Sequence, residues 1–386
     1  MSPRYFILFQ SMLIITVGQF SGYLYAPSLP AMVSALHTKI TYVQLSLSLT
    51  LITYGAAQLI YGAASDYYGR RKPVVIGLVI FVIGSVITVI THSIDGLLLG
   101  RAIQGVGMGA VGLTRVINRD IFSGAEFLKV GSYVTMILAI TPILAPLLGG
   151  YIQDYIGWRG NFVFLLSYAC LILFIIYFKL PETNLNLRPG PPKLKIIFQA
   201  YAKVVRNKRF MALLCCSMLA FSSESVYTIM APFLLQNQLG WSAIAYGWLG
   251  LFTVVGFLIG ATIASKLSHS IQPENMLKIG SCITLAASLL MLVLSWQLNT
   301  WAIVLPMSLY MLGMSMVTIP CGVMAMSLYT KRLGVAGAAY GSVLMIGSGL
   351  ISTFGTHFHV HNQRPLAILL TCLSLSIMLV FRECIS

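Results

Sequence analysis

Twelve apolar stretches, each close to a membrane's thickness, dominate this chain. They run at about 5–26, 41–64, 74–91, 96–117, 130–152 and 160–180, then, past a polar break, at about 210–233, 242–265, 276–296, 301–327, 335–356 and 365–382. A hydrocarbon core of about 30 Å takes about 20 apolar residues per helical crossing. Lipid offers the backbone no hydrogen-bond partner, so each crossing must be a helix. Hydrophobic residues make up 58% of the 386 and charged residues 9%. A soluble domain has about 45–50% and about 25%, so a soluble globule is excluded. The expected fold is an all-α polytopic membrane protein with twelve transmembrane helices in two six-helix bundles, at 1–180 and 210–386, joined by a linker at 181–209. Such a six-plus-six pattern suggests a parallel repeat about an axis along the membrane normal. The repeat is weak in residue identity and is read from hydropathy.

Charge gives the topology. Of the 24 Lys and Arg residues, Lys39, Arg159 and Arg364 fall on one side and Arg101 and Arg115 within a segment, leaving 19 on the other side. That side is expected to be cytoplasmic, with both termini and the linker, rich in Pro181, Pro189, Pro191, Pro192 and basic residues, lying there. The net charge of +15 is thus a topology signal suited to anionic lipid headgroups, not a nucleic-acid face. The first apolar run is long enough to be a retained helix and is not read as a signal peptide. The seven cysteines show no C-x-x-C spacing and read as small apolar residues.

Between Gly62 and Val74 the chain reads G-A-A-S-D-Y-Y-G-R-R-K-P-V, a burst of charge between two apolar segments. Gly62, Asp66, Gly69, Arg70 and Arg71 are expected to form a conformational latch. Asp66 suits a helix N-terminus in the other half, and Arg70 and Arg71 can pair with acids such as Asp120. In the fourth segment Arg101 and Arg115 lie 14 residues apart, about four helical turns, and so share a face with Gln104 and Met108. A central charge costs about 2.5–3.5 kcal/mol; this face is expected to line an aqueous cavity, snorkelling at the span's two ends being the alternative. The glycines of this segment read as close helix packing rather than a nucleotide loop, since no strand precedes them. In the fifth segment Pro142, Pro146, Gly149 and Gly150 predict a kinked, closely packed helix.

Glu224, in F-S-S-E-S-V-Y, is the only acid clearly inside a segment. It is a candidate proton carrier, with a structural carboxylate bonded to nearby serines or interior arginines as the other reading. Gln19 and Tyr23 in the first segment, Tyr54 and Gln58 in the second, and Tyr227 in the seventh suggest an aromatic, amphipathic cavity; each serves equally well in helix packing. His357, His359 and His361 alternate in a short loop. Without an acid or cysteine alongside they are expected to be solvated rather than to bind a metal.

The loop at 62–72 resembles the G-x-x-x-D-x-x-G-R-R-K signature of the major facilitator superfamily, and Arg101, Gln104 and Gly105 resemble its second motif. T-P-I-L-A-P-L-L-G-G (141–150) is similar to the family's antiporter motif, with Thr141 and Ala145 in place of glycines. Tyr25–Pro30 resembles the Y-L-P-A-L-P of the Bcr/CflA branch of twelve-span drug:proton antiporters, where an aspartate often stands at the position of Tyr23. The resemblance implies a loop that stabilises an outward-open state. It also implies a bacterial inner-membrane transporter that exports small organic molecules against protons by alternating access, with Glu224 and Arg101 in proton coupling. A dedicated exporter of one metabolite, such as a siderophore, is the alternative, and an importer a less favoured one. About 2.3 kcal/mol per charge from a 100 mV potential and about 1.4 from one pH unit sustain roughly a 500-fold gradient without ATP. No zincin motif, nucleophile elbow or paired intramembrane carboxylates point to an enzyme, and no cofactor is implied. The expected partners are a small-molecule substrate, protons and the lipid bilayer, with the chain working as a monomer.

Overall fold

A computed structural model describes the chain apart from residues 1–2, 185–186, 188–193, 269, 330–332, 359 and 385–386. Among the described residues, secondary structure is helical throughout. Twelve helices are long and apolar enough to cross a membrane. Spans 1–6 are Arg4–Ala35, Ile40–Tyr68, Arg71–Ile90, Ile94–Ile121, Lys129–Tyr155 and Trp158–Lys179. Spans 7–12 are Lys208–Gln238, Ala243–Leu267, Pro273–Trp296, Thr300–Ser327, Gly334–Gly355 and Arg364–Glu383.

Short polar caps set several span starts. The side chains of Ser93, Asn207, Ser242 and Asn299 each accept a backbone N–H from the first turn that follows, satisfying donors that the helix leaves free. Gly69 and Gly157 end spans 2 and 5 at positive φ, where other residues are strained.

Two expectations change. Span 1 runs past the apolar stretch that ends at about 26: it passes through a 3₁₀ turn at Ala26–Ser28 and continues to Ala35. The linker is not wholly irregular either: Leu194–Val205 forms a helix, called here the linker helix, which packs on span 11. Its apolar residues were masked in the sequence by the prolines and lysines around them.

Four spans depart from regular α geometry: span 1 at Ala26–Ser28, span 4 in a 3₁₀ turn at Gly109–Gly112, span 7 in a π turn at Phe233–Gln238 and span 9 in a closing 3₁₀ turn at Leu294–Trp296. Irregular backbone at membrane depth is tolerated where protein covers it. Ala26, Pro27, Ser28, Gly109, Ala110, Phe233, Leu234 and Leu235 are all buried. Spans 1–6 pack largely on one another, and so do 7–12; the main crossings are span 2 on span 11 and span 5 on span 8. The seam between the two sets carries the candidate site.

Candidate transport seam and basic-end latch

At the end bearing the basic loops, Arg70 gathers its neighbours. Its Nη1 donates to Asp66 Oδ1 and to Ser65 Oγ, both at 2.8 Å, and its Nε to Asp120 Oδ2 at 3.0 Å. Desolvation works against the Arg70 charge, but the bonds to Asp66 and Asp120 outweigh it and hold the group above its ordinary pKa. Arg71 donates from Nη2 to the Tyr177 carbonyl at 2.6 Å. Asp66, Arg70 and Asp120 therefore meet, whereas Arg71, expected beside an acid, donates to a main-chain carbonyl. Asp66 also acts on Tyr201 of the linker helix; burial first and then this charge push the Tyr201 phenol up to about 12. Tyr201 donates to the Leu59 carbonyl at 3.2 Å, and Gly62 lies against Ala338 of span 11 and Tyr201.

Glu182 completes this end and was missed in the sequence. Its carboxylate accepts the backbone N–H of Arg70 (2.7 Å), Arg71 (3.1 Å), Thr183 (3.0 Å) and Asn184 (2.9 Å). Partial burial pushes the carboxyl up, but the four N–H groups together hold it below the usual carboxylate range. A side chain at Gly69 would collide with this carboxylate, so glycine is required there twice over. The available signal was the acid in the Leu180-Pro181-Glu182-Thr183 run, directly after the sixth apolar stretch.

The opposite end is tied shut between the two helix sets. Gln236 Nε2 donates to the Pro27 carbonyl (2.9 Å), Gln44 Nε2 to the Ile229 carbonyl (2.8 Å) and Thr41 Oγ1 to the Thr356 carbonyl (3.3 Å). Asp154 Oδ2 accepts from the Ile244 N–H at 3.1 Å. The antiporter-like helix sits in this closure. Pro142 and Pro146 lie inside it, and a side chain at Gly149 would strike the Leu24 carbonyl, one at Gly150 the Ala243 carbonyl of span 8. One glycine admits span 1 and the next admits the other set. The Asp66–Arg70–Asp120 cluster is complete in this closed conformation, so it does not by itself require the opposite end to be open.

Midway between the ends, Tyr23 of span 1 donates its hydroxyl to Glu224 Oε1 of span 7 at 2.8 Å. The position where the related branch often carries an aspartate therefore holds the partner of the buried acid. Arg101 is elsewhere. It is wholly buried; Nη1 donates to Ser21 Oγ (3.0 Å) and Gln104 Oε1 (2.6 Å), and Nη2 to the Ser21 carbonyl (2.9 Å). Its guanidinium stacks over the Tyr25 ring at 4.4 Å, and Gln104 passes a further bond to Ser85 (2.8 Å).

This corrects the expected aqueous face of span 4. Arg101, Gln104 and Met108 are packed inside the first set, while Arg115 is exposed. The 3₁₀ turn between them advances about 120° per residue rather than about 100°, so Arg115 no longer follows the Arg101 face. Arg115 instead acts electrostatically on Tyr54 and on Tyr340 of span 11. Tyr340, unremarked in the sequence, donates to Ser217 of span 7. Gln58 wedges its amide between Gly112 and Gly341, and Gln19 is half-buried. Tyr227 is buried in the packing of the second set. Of the residues along this level, Gln19, Tyr23, Tyr54, Gln58, Glu224 and Tyr340 are half-buried and Arg115 is exposed. His357 is exposed, with Nδ1 3.2 Å from the Thr353 carbonyl; His359 lies outside the described residues. Among the described residues no cluster of three metal-ligating side chains occurs.

Twelve spans about a polar seam, with one acid and one arginine deep inside, define a polytopic membrane protein of the transporter kind. The chain belongs to the Major Facilitator Superfamily, whose pattern matches residues 11–352. It is 27% identical over 376 residues to multidrug resistance protein D of Escherichia coli (strain K12), covering 97% of this chain and 94% of that one. It is 20% identical over 327 residues to a bicyclomycin resistance protein homolog of Haemophilus influenzae, covering 84% and 82%. In fold it matches the crystal structure of a D-xylose-proton symporter with a TM-score of 0.78 at 16% identity, over 98% of this chain and 97% of that one. These relatives agree with the resemblance to drug:proton antiporters of the Bcr/CflA-like branch.

Proposed function

We infer that this chain is a proton-coupled exporter of small organic molecules, of the multidrug-efflux type, working as a monomer in a bacterial inner membrane with both termini cytoplasmic. Residues 1–180 and 210–386 rock against each other about the seam, carried by the linker at 181–209. The observation that carries this reading is the Tyr23–Glu224 hydrogen bond, through which an acid midway along span 7 joins the two sets. An intramembrane carboxylate is a functional group by default. Cargo entering beside Glu224 takes the site with the carboxylate ionised; a proton arriving there releases cargo and neutralises the acid. The names of the two curated relatives, multidrug resistance and bicyclomycin resistance, support drugs as the cargo class. The excess of Lys and Arg at the end bearing the latch supports its cytoplasmic placement.

Everted membrane vesicles energised by respiration test this reading. Ethidium, a fluorescent lipophilic cation, and bicyclomycin are expected to accumulate inside and to leave when a protonophore collapses the gradient. Accumulation of a single metabolite and of neither drug would instead indicate a dedicated exporter.

A further inference from the structure

Toward the basic end the two helix sets meet along spans 2 and 11, and what meets there is small. Ser342 Oγ donates to the Gly55 carbonyl at 2.6 Å, and a side chain starting at Gly62 would stand 3.6 Å from the Ala338 methyl. Small residues let two backbones approach closely but offer little to hold them together. The Arg70 bonds of the latch run to Ser65, Asp66 and Asp120, all within the first set. The linker helix, by contrast, reaches both sets from its last turn. Val204 is wholly buried, and its carbonyl accepts from Tyr329 Oη, just past span 10, at 3.1 Å. The Tyr329 ring stands edge-on to Phe210 at the start of span 7, with 5.3 Å between centroids, and the helix packs on spans 7 and 11. Three residues before Val204, the Tyr201 hydroxyl crosses to the first set and donates to the Leu59 carbonyl of span 2 at 3.2 Å. It lies 3.7 Å from the point where a Gly62 side chain would start, and the Asp66 charge bears on it. Tyr201 and Val204 are separated by about 4.5 Å of helical rise, so one turn holds both attachments.

We propose that this last turn of the linker helix is a strap across the basic end: Tyr329 moors it to the second set, Tyr201 clasps span 2, and parting spans 2 and 11 at that end requires Tyr201 to release the Leu59 carbonyl. The linker is then part of the closure and not only a tether between the halves. Asp66 acts on both Arg70 and Tyr201, so the strap also ties the first-set latch to the second set. Tyr201 touches no cargo and changes no protonation state; it is a positioning residue. The proposal rests on the rocking of the two sets, and not on Glu224 as carrier or on the direction of transport.

The test uses the full chain in lipid nanodiscs, where both faces are open to a bulky hydrophilic maleimide. The reporter is Ile346→Cys. Ile346 packs on Gly55, about 12 Å deeper along span 11 than Ala338, so losing a hydroxyl at the strap does not itself uncover it. Tyr201→Phe and Tyr329→Phe each remove one hydroxyl and keep the ring. Each is expected to raise labelling above the parent chain about three- to tenfold, the change that one lost hydrogen bond makes in an equilibrium. The double variant is expected to match the larger single change within about twofold, because freeing either end frees the same strap. Labelling of Ile244→Cys, at the opposite end, is expected not to rise. Unchanged labelling of Ile346→Cys in either single variant, or a double variant equal to the product of the two, would reduce the strap to separate packing contacts and overturn it. A rise at Ile244→Cys as well would mean general loosening and overturn it too. No label on Ile346→Cys in any variant would mean that the seam does not part, and the rocking would fail together with the strap.

Discussion

The basic-end latch and the mid-membrane seam both hold ionised side chains, yet they satisfy them in opposite ways. Arg70 has two carboxylates and a hydroxyl, and Glu182 has four backbone N–H groups. Each charge there is met several times over. At mid-membrane, Arg101 is met inside the first set by neutral dipoles and an aromatic face, and in the seam Glu224 is met by one phenol from across the divide. Redundant partners make a rigid joint within one set of helices. A single partner across the seam makes a bond that one proton or one cargo molecule can replace. The difference locates the moving part in the seam, and the predictions that follow are ordered by the size of the effect expected.

The largest effect is expected at Glu224. Glu224→Gln should abolish the pH-gradient-driven component of ethidium transport, with thermal unfolding in detergent shifted little, because glutamine still accepts from Tyr23. Proton-driven transport at wild-type rate would place the moving part elsewhere. Next comes Arg101→Lys. A lysine cannot reproduce the planar fork that reaches Ser21 and Gln104 together. Losing charge-assisted bonds of about 1.5–3 kcal/mol each should lower the unfolding temperature clearly, in contrast to Glu224→Gln. An unchanged unfolding temperature would show that Arg101 is not held as tightly as its burial indicates.

Gly150→Ala tests the closure itself. The added methyl meets the Ala243 carbonyl, so spans 5 and 8 should part at that end. Cysteine-labelling of Ile244→Cys is then expected to rise several-fold in the Gly150→Ala background, and no rise would mean the seam absorbs the methyl. The smallest effect is expected at Glu182, where redundancy dilutes any one contact. Its folded pKa is depressed, so its stabilisation is present above the ordinary carboxylate pKa of about 4.3. That contribution is lost as pH falls through the folded value. Glu182→Gln should unfold at a slightly lower temperature than wild type at pH 7, with the gap closing below about pH 4. A gap that persists in acid would show that charge is not what the four N–H groups recognise.

The spans were legible in the sequence because hydropathy over about 20 residues is a strong signal and lipid permits only helices. The latch was legible because Asp66 and Arg70 are one helical turn apart and only Asp120 had to be brought in. Other features needed three dimensions. Tyr23 and Glu224 are 201 residues apart, and the sequence presented Tyr23 as a cavity candidate and as the place of a missing aspartate, not as the partner of Glu224. The shared face of Arg101 and Arg115 failed because Gly109–Gly112 tightens into a 3₁₀ turn, which no composition of glycines announces.

On the proposed mechanism, the presence of one arginine and one carboxylic acid at mid-membrane, though they do not touch, also sets the response to voltage. With Glu224 ionised, it and Arg101 cancel, and the deep interior carries no formal charge through its rearrangement. Once the acid is neutralised, a single positive charge remains to be moved, and a field of 100 mV then acts on it with about 2.3 kcal/mol. A neutral cargo would therefore leave on an electrically silent stroke, and the reset stroke alone would quicken with membrane potential.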